Sequence, residues 1–232
     1  MSRRVAPIVA IDGPAGAGKS TVARQLARRL GFSMIDTGAI YRSVALVAQR
    51  AGVAWDDDAG LQRLLDRGLG LSFDGERVLL GDEEVTQAIR APGISRGSSV
   101  VSARPIVRQK LLQLQRDLGR AAPRGAVLEG RDIGTVVFPD AQVKFFLTAS
   151  DEARAGRRHV ELAEKGVEVP LAEVLADQRR RDKDDTERAI SPLKAAPDAI
   201  RVDTTGLDLD EVVDHCFREA SARLTHLISG QS

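Results

Sequence analysis

The stretch Ile8-Val9-Ala10-Ile11-Asp12-Gly13-Pro14-Ala15-Gly16-Ala17-Gly18-Lys19-Ser20-Thr21 restricts the fold more than any other part of the chain. Gly13, Gly18, Lys19 and Ser20 fit the spacing G-x-x-x-x-G-K-[ST], with an apolar run of strand length before them and helical spacing after. Glycines let the backbone curl until successive N–H groups point inward, and the free N–H groups and dipole of the following helix reinforce them. A phosphate chain suits such a loop. Lys19 is expected to reach the outer phosphates, and the Ser20 hydroxyl to take one position on Mg²⁺. The bland alternative is a glycine-rich turn with a chance lysine, and the flanking strand and helix speak against it. Asp12 through Thr21 is therefore the expected site for a nucleoside triphosphate.

From Lys19 onward Val22, Ala23, Leu26, Ala27 and Leu30 recur at helical spacing, and Gly31 closes the segment. Ser33–Asp36 reads as the next strand, with a helix after Thr37-Gly38 that turns Tyr41, Val44, Ala45 and Ala48 inward. Strand, phosphate loop, helix, strand opens a doubly wound parallel sheet. The pattern changes after Gly52. A helix around Leu61–Leu65 precedes the apolar runs Leu69–Phe73 and Arg77–Leu80, and the Asp74-Gly75 step between those runs is a hairpin signal foreign to a parallel sheet. Residues 60 to 100 or so are thus expected to form an antiparallel insertion. A helix from Pro105 to Leu118 returns the chain to buried strands at Ala126–Glu129 and Val143–Leu147. Ala149–Lys165 reads as helical, and a second helix runs from Pro170 through Arg188 until Pro192 and Pro197 end it. Ile200–Asp203 is the last strand, and Asp208 is placed to cap a final helix.

With 34 basic and 33 acidic residues the net charge is +1, so no global field argues for nucleic acid or a membrane surface. Any basic site is local. The one cysteine, Cys216, lies on the apolar face of the last helix and points to core packing in a reducing cytoplasm. Met1-Ser2-Arg3-Arg4 leads into a short apolar strand, which suits neither a signal peptide nor a membrane span. His159, His215 and His226 share no ligand spacing, and Trp55 and Tyr41 read as packing residues.

Arg181, Asp185 and Arg188 are spaced by four and three, which puts two guanidinium forks and a carboxylate on one helix face if the helix reaches that far. On spacing alone a solvated, salt-laced surface is the favoured reading, since Asp177, Asp182, Asp184 and Glu187 nearly cancel the charge. A triphosphate site elsewhere favours an arginine-bearing lid, because phosphoryl transfer gathers negative charge and must exclude water. Glu129, Arg131 and Asp132 follow a buried strand at the carboxyl edge, where α/β sheets bind ligands, and Glu129 is placed to orient Mg²⁺ or its waters. An ordinary turn with a local ion pair is the alternative. Arg42 lies off the apolar stripe of its helix and is free to face a cleft.

Four stretches together resemble the bacterial-type cytidylate kinases, within the nucleoside monophosphate kinases of the P-loop kinase fold. They are Ile11-Asp12-Gly13-Pro14 with its loop, Asp36-Thr37-Gly38-Ala39-Ile40-Tyr41-Arg42, Glu129 through Pro139, and Arg181 through Arg188. The resemblance spans nearly the whole chain and implies an α/β fold of about five parallel strands, an antiparallel monophosphate-binding insertion and a helical lid. The implied division is core at 1–37, 105–153 and 193–232, monophosphate lobe at 38–104, and lid at 154–192. It implies transfer of the ATP γ-phosphoryl group to CMP or dCMP with Mg²⁺; nothing in the sequence demands more than a monomer, and the cysteine usage suits the cytoplasm. Lys19, Arg131, Arg181 and Arg188 would be catalytic. Thr37 would bind CMP, Arg42, Arg131 and Arg188 would hold its phosphate, Arg181 and Asp185 the phosphate and ribose, and Ser99, Arg108 and Asp132 the cytosine. Ser98 and Ser102 neighbour Ser99, which is selected by counting back from Pro105 without a gap. Other acceptors on the same scaffold would be UMP or a shikimate-like metabolite. A GTP-binding switch is disfavoured, since such proteins read guanine with an Asn-Lys-x-Asp motif and the chain contains no asparagine.

Overall fold

The computed structural model describes residues 6–164 and 166–229; Met1–Arg4 and Lys165, which entered the sequence reading, lie outside the described residues. Strand β1 (Ile8–Asp12) is buried throughout and leads through the glycine loop into α1 (Lys19–Leu30), which Gly31 ends in the left-handed conformation at φ 68°. Strand β2 (Ser33–Asp36) is followed at once by α2 (Thr37–Arg50). Thr37 does not break the chain before this helix, as the sequence suggested, but is its first residue. The Asp36 carboxylate caps it by accepting from Ala39 N at 2.8 Å.

Helix α3 (Asp58–Asp66) is capped in the same way by Asp57. Strands β3 (Leu71–Asp74), β4 (Arg77–Leu80) and β5 (Glu83–Glu84) form the antiparallel sheet that the Asp-Gly step called for, in the order β3-β4-β5. The expected antiparallel insertion is present as this three-stranded sheet, after the expected helix. Its last third is helical, with a 3₁₀ turn at Ala88–Arg90 and then α4 (Pro92–Ala103). Serines and glycines had hidden this helix, because their propensity is low; at Gly97 an added Cβ would lie 2.4 Å from the Trp55 ring. Helix α5 (Pro105–Ala121) runs three residues beyond the expected end.

Strand β6 (Ala126–Gly130) precedes a π turn at Ile133–Val137 and β7 (Val143–Thr148). Two helices follow, α6 (Asp151–Glu164) and α7 (Leu171–Glu187), then β8 (Ile200–Asp203) and α8 (Leu209–Ser229). Asp208 and Glu211 exchange hydrogen bonds at 2.8 and 2.9 Å, a capping box that starts α8. Helix α7 stops at Glu187, so Arg188 is not on its face. Arg188 takes extended backbone angles, and Ser191, which precedes Pro192, turns left-handed at φ 52°.

The central sheet has five strands in the order β2-β6-β1-β7-β8, and its pairs β1/β6, β1/β7 and β7/β8 are parallel. Parallel strands are covered on both faces, which is why β1, β6 and β7 read as nearly unbroken apolar runs. The chain forms two compact units, residues 34–121 and the remainder. In the larger unit Val9, Ile11, Leu26, Leu128, Phe145, Val213 and Cys216 are fully or almost fully buried. In the 34–121 unit the core is built from Ile40, Tyr41, Val44, Leu61, Val85, Ile89, Val101, Val107 and Leu111. Helix α5, counted with the core on sequence, packs here against α3 and α4.

Candidate active site

In the larger unit the loop between β1 and α1 is shaped by glycines in conformations that strain any other residue. Gly13 has φ 149°, and a Cβ there would sit 2.1 Å from the Leu147 carbonyl oxygen at the end of β7. Gly16 and Gly18 are left-handed, at φ 75° and 83°. Lys19 is buried and donates to the Pro14 carbonyl at 2.7 Å, inside the loop's own backbone. Burial and the nearby Arg131 charge push its pKa down to about 7, against the pull of Glu129, Asp185 and Asp12. The Ser20 hydroxyl donates to Glu129 Oε1 at 2.5 Å, joining the start of α1 to the end of β6. A hydroxyl and a carboxylate so placed are hard oxygen donors of the kind Mg²⁺ takes alongside phosphate oxygens and waters. Among the described residues no three His, Cys, Asp or Glu side chains could hold a metal by themselves.

Asp12, expected as part of the triphosphate site, turns its side chain elsewhere. Its carboxylate accepts from Ile133 N and Gly134 N, both at 2.7 Å, and anchors the π turn directly after Asp132. Burial outweighs these two donors and raises its pKa to about 6. Asp132 is itself buried.

The arginines gather around one carboxylate. Asp185 accepts from Arg131 at 2.8 Å and from Arg188 at 3.4 Å, and Arg188 also donates to the Ser191 carbonyl. The left-handed Ser191 is what turns that carbonyl back. Arg188 thus reaches Asp185 from beyond the helix end. Asp185 is held below the usual carboxylate range: burial opposes this, and Arg131, Arg188 and Arg181 overcome it. Arg181 is pushed down by burial and by the Arg131 charge. Arg131 is raised despite its burial, because Asp185 and Glu129 favour its charge. Glu129 and Asp182 add their charges to that of Asp185 beside Arg131, so cations and carboxylates alternate in this cluster.

A cavity of about 230 Å³ adjoins the loop, lined by Ala17, Thr21, Arg157, Thr204, Leu207 and Val212 among others. Arg157 donates to the Thr204 hydroxyl at 3.0 Å and to its carbonyl at 2.6 Å. The sequence reading missed this pocket. Its walls come from α1, α6 and the β8–α8 turn, and no short spacing links them.

The remaining candidates belong to the 34–121 unit. Thr37 is buried at the start of α2. Arg42 pairs with Asp36 at 2.6 Å, both about four-fifths buried. Arg108, 7% exposed, donates to the Ser102 carbonyl at 3.0 Å and lies over the Tyr41 ring, 5.4 Å from its centroid. Tyr41 therefore both packs and carries a cation. Ser99 is exposed on α4 with its hydroxyl 3.4 Å from the Ser95 carbonyl.

The family model for cytidylate kinase matches residues 9–222. A cytidylate kinase of Geobacter sp. (strain M21) is 54% identical over 221 residues, covering 94% of each chain. One from Geobacter sulfurreducens is 54% identical and covers 89% of each, and one from Syntrophotalea carbinolica is 50% identical, covering 93% of this chain and 92% of its own. Both the match along nearly the whole length and the residues gathered at the glycine loop lead to one statement: the chain belongs to the cytidylate kinase family.

Proposed function

We propose that the protein transfers the γ-phosphoryl group of ATP to CMP or dCMP, giving ADP and CDP or dCDP. The observation that carries this reading is the grouping of Lys19, Arg131, Arg181 and Arg188 in the unit that holds the glycine loop, with Asp185 among them. An oxygen of the CMP phosphate attacks the γ-phosphorus in line, and the bond from that phosphorus to the β–γ bridging oxygen breaks. The attacking oxygen is already anionic, so no general base is assigned. Lys19 and the three arginines hold the charge that spreads over the transferring group, most strongly in the transition state. Ser20 and Glu129 would hold Mg²⁺, which supplies charge neutralisation on the β- and γ-phosphates.

Arg42, Arg131 and Arg188 are assigned to the acceptor phosphate, Arg181 and Asp185 to phosphate and ribose, and Thr37 to CMP binding. Ser99, Arg108 and Asp132 are assigned to cytosine, which offers an amino donor and two acceptors and so calls for a carboxylate acceptor beside a donor fork. Uracil would set a carbonyl against Asp132. Residues 154–192 act as the lid, and the cavity beside Ala17 and Thr21 takes the base of the triphosphate. The enzyme works as a monomer in the cytoplasm.

An ADP-release assay with MgATP and, in turn, CMP, dCMP, UMP, AMP and shikimate tests the reading. CMP and dCMP are expected to turn over best. Turnover confined to shikimate, or none with CMP, would overturn it.

A further inference from the structure

The glycine loop is gripped by an arginine that belongs to no motif. Arg154, in the first turn of α6, is 3% exposed. Its Nε donates to the Ala149 carbonyl at 3.1 Å, and one terminal nitrogen donates to Asp151 at 2.6 Å. The other donates to the Ala15 carbonyl at 2.9 Å and pairs with Asp182 at 2.5 Å. Ala15 lies in the glycine loop, while Asp182 follows Arg181 on α7. One turn earlier on α7, the buried Gln178 sets its amide where a side chain on Gly16 would go, 2.6 Å from the ideal Cβ position. The loop therefore has a wall made from both helices that follow β7.

The consequence lies in the peptide plane. In a trans peptide the carbonyl and the next N–H point in opposite directions, so drawing Ala15 O toward Arg154 turns Gly16 N–H away from it. Left-handed Gly16 could otherwise rotate this peptide at small cost. The preceding peptide is pinned by a second cation, Lys19, through Pro14 O. Backbone donors fixed before the ligand arrives bind an anion without reorganising. Four oxygen acceptors in different directions also require a planar fork, which lysine lacks.

We propose that Arg154 is a positioning residue for the triphosphate: it aims the Gly16 N–H at the phosphate chain and, through Asp182, ties that aim to the helix bearing Arg181 and Asp185. The inference rests on the kinase reading above. It is tested on the full chain by calorimetric titration of ATP and, separately, of CMP into the wild type, Arg154→Lys, Asp182→Asn and the double variant, with turnover measured on each. Arg154→Lys is expected to weaken ATP about tenfold and CMP by no more than about twofold, since a single ammonium keeps charge but loses the fork. Asp182→Asn is expected to weaken ATP about threefold, and the double variant to be no worse than Arg154→Lys, because both changes cut one chain of contacts. A general loss of structure would lower both affinities together. Wild-type ATP affinity in Arg154→Lys, or equal losses for ATP and CMP, would overturn the proposal. If Arg154→Lys does not fold, unchanged ATP affinity in Asp182→Asn overturns it. A wild type that binds ATP in this Arg154-dependent way but does not phosphorylate CMP would defeat the kinase reading alone.

Discussion

Asp12 is subject to two opposing demands. Burial favours its neutral form, while the amides of Ile133 and Gly134 favour the carboxylate, and burial prevails with a pKa of about 6 against an ordinary 3.8. A folded-state pKa above the unfolded value gives a stabilising contribution that is complete below about pH 3.8 and is lost as pH rises through about 6. Thermal melts of wild type and Asp12→Asn between those limits should therefore show the wild type losing ground to the variant as pH rises. A gain would mean that the two amides win. Lys19 carries a different expectation, since the proposed mechanism has its charge act mainly in the transition state. Lys19→Met should lower turnover about 10³-fold while leaving the far-ultraviolet dichroism unchanged, and near-normal turnover would remove Lys19 from the mechanism. Gly13 is purely steric. Gly13→Ala, driven against Leu147 O at an impossible φ, should cost about 3 kcal/mol or more in denaturant unfolding.

Among the elements, the strands and the helices of strong apolar period were legible from sequence because one physical signal, burial on a regular period, dominates them. Helix α4 was not. Gly93, Ser95, Gly97, Ser98, Ser99 and Ser102 argue against a helix locally, and the helix exists because packing outweighs propensity, with the Trp55 ring set against Gly97 and its indole N–H on the Ala45 carbonyl at 2.9 Å. Gly97→Ala should therefore destabilise the protein by about 1–3 kcal/mol although alanine is the better helix former. Urea unfolding followed by the fluorescence of Trp55, the chain's single tryptophan, reads this directly, and a stabilised variant would contradict the packing account. The end of α7 was misread for a related reason. Helical spacing put Arg188 on a face with Arg181 and Asp185, yet the chain leaves the helix at Glu187, and Arg188 meets Asp185 from extended backbone fixed by Ser191.

At the scale of the whole molecule the near-zero net charge of +1 is repeated locally, where Lys19, Arg131, Arg181 and Arg188 lie among the carboxylates of Asp12, Glu129, Asp182 and Asp185. The loop was legible from its short motif, Arg131 from its place after a buried strand and Arg181 from helical spacing, while Arg188 lies beyond the helix that the spacing implied. Arg154, the Asp12 clasp and the cavity beside Thr21 were not legible, since each joins residues far apart in the chain whose types are common everywhere. Specificity belongs to this scale too. Asp132→Ala should reduce the ratio of the kcat/KM values for CMP and UMP by about tenfold or more, by removing the acceptor that the proposal assigns to cytosine and that uracil would oppose. An unchanged ratio would assign base selection to other residues. The most direct measurement follows the label of γ-³²P ATP through a single turnover with excess enzyme and either CMP or UMP. The account predicts label in CDP, formed at least about 100-fold faster than label in UDP. Label released as inorganic phosphate, or passed to both acceptors at one rate, would contradict it.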